Sequence, residues 1–290
     1  MKKDNKDVPA VLYRYMSVQG IIPTLKNHAL RLADPETFND EYEFTYQHIK
    51  LSKVAIERKY HDATFRENVR DSLWWNTLTK KKERIEYMWK LANQGKDDLR
   101  EDLQKYFRIC CFTKSNTNPY MWKNYADDYS GAVLEFRFAD KRNIQPVKYS
   151  NALPPYSWGL PYDNGIHFKK IMLHKMVEPF YREQEYRQIL PADYVQRAPK
   201  LCNSYNLPQI EAFIDNDNKL NETFAHSELS AVFLGKNIAE KDKEEILSLL
   251  AHNSYRHVLV MQMNAAEEEI TFEPIVHTRD YTNTANVPLL

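Results

Sequence analysis

The run Phe107-Arg108-Ile109-Cys110-Cys111-Phe112 is apolar at every position but one and stops at Ser115-Asn116-Thr117-Asn118-Pro119. It is bounded by turn residues and too short for an ordinary helix, so it predicts a strand buried on both faces. A sheet is therefore the frame to which the other segments must be fitted. Val11 to Tyr15 reads as a short strand of β-branched and aromatic residues, and Ser17 to Asn27 as a helix in which Ile21, Ile22 and Leu25 share a face. Ala29 to Ala33 reads as a second short strand. Asp34-Pro35-Glu36-Thr37-Phe38-Asn39-Asp40 then carries turn chemistry.

Downstream of the central run, Asn118 suits an N-cap and Pro119 the first helical position, opening a short helix to about Asp127. After Gly131, the segment Ala132 to Phe138 returns as a strand. Further strands are expected at Val147–Ser150, Glu185–Leu190, Leu229–Leu234, His257–Met263 and Ile270–Ile275, with helices over Ile166–Phe180 and Ala239–Ala251. Between about 50 and 105, Trp74, Trp75, Leu78, Ile85, Met88, Trp89 and Leu91 recur at roughly helical spacing without proline. These patterns predict an α+β protein with mixed, mainly antiparallel sheets forming a central cleft. One domain spans 1–290, with a helical insertion at about 50–105.

Composition narrows the function classes. Lys plus Arg equals Asp plus Glu at 40 each, which removes the global positive field of a non-specific nucleic-acid binder. Only 6 glycines occur in 290 residues, and neither a dinucleotide fingerprint nor a P-loop is present. The three cysteines, Cys110, Cys111 and Cys202, lack metal-ligand spacing and read as reduced core residues. No zinc pair, His-x-x-x-His or G-x-S-x-G elbow occurs, so no metal is expected. The charged N-terminus lacks a secretory pattern and no run approaches the ~18 apolar residues of a membrane span, which makes the cytoplasm the expected compartment and a membrane partner unexpected.

Four clusters could carry chemistry. Arg14 sits in Leu12-Tyr13-Arg14-Tyr15, either as an anion or ribose contact on the open side of a sheet or as the polar face of a half-exposed strand. Phe38-Asn39-Asp40-Glu41-Tyr42-Glu43 is either a ligand-orienting set or a solvated loop. Met121, Trp122 and Tyr125 share one side of a short helix, as core or as a ligand platform. Glu183-Gln184-Glu185-Tyr186-Arg187 enters a strand, and if Glu183, Glu185 and Arg187 all lie on it, the period of two puts both carboxylates and the guanidinium on one face, the carboxylates about 7 Å apart. That face suits acid/base or ion-pair work, or an ordinary solvated charge ladder.

In order and spacing, Leu12-Tyr13-Arg14-Tyr15, Phe38-Asn39-Asp40 with Glu43, Met121-Trp122 with Tyr125-Ala126 and Gly131, and Glu183-x-Glu185-Tyr186-Arg187 resemble the DUF2971 family and the related abortive-infection proteins of the AbiGi type. The similarity covers roughly Leu12 to Ile275. At the level of plan, an early strand with Arg, a helix, a second strand and a late Glu-x-Glu are similar to ADP-ribosyltransferases, in which NAD lies between two small sheets. That likeness implies NAD as substrate, with contacts from Arg14, Tyr15, Asn39, Tyr42, Trp122, Tyr125 and Arg187, and catalysis by Glu185 with Glu183. A carboxylate there would stabilise the oxocarbenium-like sugar as nicotinamide leaves, and an Arg fork would hold phosphate.

The leading expectation is thus an NAD-dependent ADP-ribosyltransferase or NAD glycohydrolase-like effector in phage defence or a toxin–antitoxin system, modifying a protein or nucleic-acid acceptor. The alternative is a non-catalytic sensor or antitoxin-like interaction module working with a cognate partner protein, in which Arg14, Trp122 and Glu185 are structural. A third reading uses Lys80-Lys81-Lys82 with Arg84 as a basic face for nucleic acid.

Overall fold

A computed structural model describes residues 8–38, 43, 52–94, 107–138, 143–151, 171–192, 212–217, 219–264 and 269–275. In chain order these form β1 (Leu12–Met16), α1 (Val18–Asn27), β2 (Ala29–Arg31), α2 (Lys53–His61), α3 (Ala63–Val69), α4 (Leu73–Thr77) and α5 (Lys81–Gln94). There follow β3 (Phe107–Thr113), α6 (Pro119–Tyr125), β4 (Ala132–Phe136), β5 (Gln145–Pro146), β6 (Lys148–Tyr149), β7 (His174–Lys175) and β8 (Glu185–Pro191). The last elements are β9 (Ala212–Ile214), β10 (Leu220–Thr223), β11 (Leu229–Leu234), α7 (Glu240–Leu250), β12 (Leu259–Met263) and β13 (Phe272–Pro274). The class is α+β with mainly antiparallel pairing, while β11 with β12 and β6 with β7 pair parallel.

The chain divides into two compact units, each assembled from separated stretches of sequence. In the first, β3 pairs antiparallel with β8 over its whole length, and β5 covers the other edge of β8. A second sheet runs β2-β10-β9. The four helices α2 to α5 carry their own core of Ile56, Phe65, Val69, Trp75, Met88 and Ala92. Their starts follow local rules: the Ser52 hydroxyl accepts from the Ala55 amide and the Asp62 carboxylate from the Phe65 amide.

In the second unit the strands run β13-β12-β11-β4-β1. Helix α6 begins as the sequence predicts, with Asn118 Oδ1 accepting from the Tyr120 and Met121 amides and Pro119 in the first turn, where its missing N–H costs nothing. The turn after α6 holds Asp127, Asp128 and Tyr129 at positive φ and ends at Gly131, where a Cβ would stand 2.1 Å from the Met16 carbonyl oxygen. The core gathers Tyr15, Met121, Trp122, Val133, Phe233 and Met263.

Two expectations need correction. The helix expected over 166–180 does not extend through its described part. His174–Lys175 is a strand paired parallel with β6, and a short 3₁₀ turn at Phe180–Glu183 follows. Pairing with a partner strand overrides the local spacing of Phe168, Ile171, Met172 and Met176. Glu183 also lies outside β8: it closes that turn, and Gln184 at φ 48° separates it from the strand. Among the described residues no helix is long and apolar enough to cross a membrane.

Candidate functional site

Strand β8 reads Glu-Tyr-Arg-Gln-Ile-Leu-Pro, and its pleat turns Glu185 and Arg187 to the same side. In register they lie opposite Thr113 and Cys111 of β3. Arg187 forks onto the Glu185 carboxylate through Nε and Nη2, each at 2.8 Å. The same Nη2 donates to Glu43, while Nη1 donates to the Met172 carbonyl at 2.6 Å. Lys175 joins from β7, its Nζ at 2.7 Å from Glu183, 3.4 Å from Glu43 and 3.6 Å from Glu185. Glu183 thereby reaches the cluster although it is not on the strand. Its position is fixed by Thr113 Oγ1, which donates to its backbone carbonyl at 2.7 Å.

Three carboxylates and two cations therefore share one site, and none of the five residues is more than 7 % exposed. Aromatic rings cap the cations: Phe180 lies 4.6 Å from Lys175 Nζ and Phe38 lies 5.5 Å from the Arg187 guanidinium carbon. The Tyr149 hydroxyl accepts from the Glu185 amide at 2.8 Å. The arrangement is that of a buried ion network, not the solvated ladder that charge runs usually form.

The carboxyls differ in acidity. Burial opposes the charge on Glu185, but Arg187 and Lys175, with hydrogen bonds from Arg187 and Cys111, outweigh it and hold the carboxyl at about 2. At Glu43 burial wins over the same two cations, and neighbouring Glu185 adds to the upward shift. Glu43 therefore takes a proton more readily than Glu185, which relieves the excess of negative charge. Burial works against Lys175 as an ammonium, yet Glu185, Glu43 and Glu183 together push its pKa up. Desolvation pushes the Cys111 thiol well above its usual value.

Of the other residues expected at an NAD site, Arg14, Tyr15, Trp122 and Tyr125 fall in the second unit. Tyr15 is buried; its hydroxyl donates to the Ser115 carbonyl at 3.0 Å and accepts from the Asn118 amide at 3.2 Å. Its ring stands edge-on to Trp122 at 5.4 Å, and the Trp122 indole N–H donates to the Asn116 carbonyl at 2.7 Å. Both are core residues with satisfied polar ends. Tyr125 is 43 % exposed, and Arg14 is half-buried on β1, in register with Leu134 of β4. Asn39 and Tyr42 lie outside the described residues. The structure brings Glu183, Glu185 and Arg187 together in one cluster, and Tyr15 with Trp122 in another.

In the sequence Glu43 stands out only as part of the Phe38-Asn39-Asp40 motif, and Lys175 falls within the helix expected over 166–180. The available signal was a lysine on the apolar stripe of Ile171, Met172 and Met176, a place where a cation needs buried partners. The basic run is largely engaged: Lys80 pairs with Glu83 at 3.6 Å and Lys82 with Glu86 at 4.0 Å. Arg84 donates to the Leu78 and Trp75 carbonyls and lies 4.1 Å over the Trp75 ring. No family model, curated protein or solved structure matches the chain at a significant level.

Proposed function

We propose that the chain is a non-catalytic interaction module, of the sensor or antitoxin-like kind, that acts in the cytoplasm with a cognate partner protein in abortive infection. The observation that carries this reading is the engagement of Glu185. Both of its carboxylate oxygens accept from Arg187, and the pair is buried. A carboxylate that stabilises a developing sugar cation has to face the sugar. Freeing Glu185 means breaking a buried ion pair, a change that costs about 3–5 kcal/mol. Incubation of the protein with NAD, read by mass spectrometry for free nicotinamide and modified acceptors, is expected to show neither. Co-purification with the product of a neighbouring gene is expected to give a defined complex.

A second reading rests on the split acidities: Glu185 stays ionised at neutral pH beside Glu43, whose carboxyl is pushed up. A fixed negative charge next to a carboxyl whose hold on a proton is strengthened is a pairing that enzymes use. In that reading the protein is an NAD-dependent ADP-ribosyltransferase or glycohydrolase-like effector of the DUF2971 type, with Glu185 stabilising the ribosyl cation and Arg14 holding phosphate. Nicotinamide release by the parent that disappears in Glu185→Gln, with folding intact, would favour it over the first.

A further inference from the structure

Helices α2 and α5 pack directly against each other and leave a groove of about 540 Å³ between them. Lys53, Ile56, Glu57 and Tyr60 share one face of α2, being spaced by three, four and seven residues. Lys81, Ile85 and Trp89 do the same on α5. Ile56, Ile85 and Trp89 form the apolar floor. Lys53, at the start of α2, lies 5.5 Å from the Trp89 ring, and Lys81, at the start of α5, lies 5.9 Å from the Tyr60 ring near the end of α2. The two helices therefore run antiparallel, and each end of the groove carries an ammonium.

These two lysines make no ion pair with any described residue, whereas Lys80, Lys82 and Arg84 beside them are engaged. Seven residues of helix, a rise of about 10 Å, separate Lys53 from Tyr60, the residue whose ring Lys81 faces. Glu57 and Glu86 also line it. Carboxylates on the walls disfavour a continuous polyanion such as a nucleic-acid backbone, and they disfavour acidic groups placed between the two ends.

We propose that this groove docks an amphipathic helix of a partner protein with one acidic residue at each end of its apolar stripe. A helix lying along the groove has the same rise per residue as α2, so acidic side chains seven positions apart match the span from Lys53 to the Tyr60 end, where Lys81 stands. Apolar residues three and four positions after the first acid then meet Ile56, Ile85 and Trp89. The inference rests on the reading of the chain as an interaction module and names its partner's chemistry.

The test uses the full chain and two fluorescein-labelled synthetic helices that differ only in the end residues, two glutamates seven positions apart in one and two lysines in the other. Fluorescence anisotropy is expected to show saturable binding of the glutamate peptide, at least about tenfold tighter than the lysine peptide and weakened by salt. The double variant Lys53→Glu, Lys81→Glu, whose melting should match the parent because both side chains are exposed, is expected to reverse the preference. Equal binding of the two peptides, binding of neither, or displacement of the glutamate peptide by an oligonucleotide overturns the assignment. Nicotinamide release from NAD instead overturns the reading beneath it, so the two failures are distinguishable.

Discussion

Replacing Glu185 by glutamine exchanges one oxygen for an NH₂ group and removes one charge from a buried site. In the parent, that carboxylate receives two charge-assisted hydrogen bonds from Arg187, a third hydrogen bond from Cys111 and the field of Lys175. Two routes give the size of the loss. Breaking one partner of a buried ion pair costs about 3–5 kcal/mol. Independently, a carboxyl displaced from 4.5 to about 2 corresponds to roughly 3 kcal/mol of stability near neutral pH. Against a total of about 5–15 kcal/mol, that loss lowers the unfolding midpoint visibly. The sign of the pH dependence follows from the depressed pKa: the contribution is full above the unfolded value near 4.5 and fades as pH falls towards 2. Urea unfolding of parent and variant should therefore differ by about 3 kcal/mol or more at pH 7 and converge in acid. If the two units unfold separately, the loss belongs to the transition of the first. A difference below about 1 kcal/mol at neutral pH, or one that does not shrink in acid, refutes the reasoning.

Converting both members of the pair, Glu185→Leu with Arg187→Met, should cost clearly less than the sum of the two single changes, because the two charges leave together and Lys175 still pairs with Glu43 and Glu183; a double-mutant cycle in urea reads the coupling. Tyr15→Phe removes a hydroxyl that joins Ser115 to Asn118 and should cost about 1–2 kcal/mol in thermal unfolding without changing the unfolded baseline. Gly131→Ala should destabilise by about 2–3 kcal/mol or more, since the new methyl meets the Met16 carbonyl, and circular dichroism melts measure it. Burial and the neighbours His28, His252 and His257 depress the pKa of His226, so its contribution is present above about pH 6.5 and is lost as pH falls. In His226→Gln the acid-side slope of stability should flatten.

Elements built by local rules were legible in the sequence. The Asn118-Pro119 start of α6, the apolar run of β3 and the alternation of β8 depend on neighbours in the chain, and the structure follows them. Strand β10 escaped notice because Leu220-Asn221-Glu222-Thr223 is polar yet buried, with Glu222 accepting from Gln188 and Asn221 donating to Asp215. Periodicity reports apolar stripes and is silent about polar strands whose partners lie far away. Glu183, Glu185 and Arg187 are legible as one set with ion-pair work open to it, but the arrival of Glu43 and Lys175 is not, because they come from other segments that only the fold brings to β8. Burial of an ion network is a property of tertiary contacts. A run such as Glu-Gln-Glu-Tyr-Arg reads as solvated until its partners are known.

The claim beneath all of this is that the Arg187 guanidinium is closed off from solvent by its carboxylate partners. Hydrogen exchange at its Nε–H, followed by nitrogen-15 NMR at neutral pH with and without NAD, measures that closure directly. Slow exchange that NAD leaves unchanged is the predicted result. Exchange at the rate of a solvent-exposed arginine, or protection that appears only when NAD is added, would contradict the account.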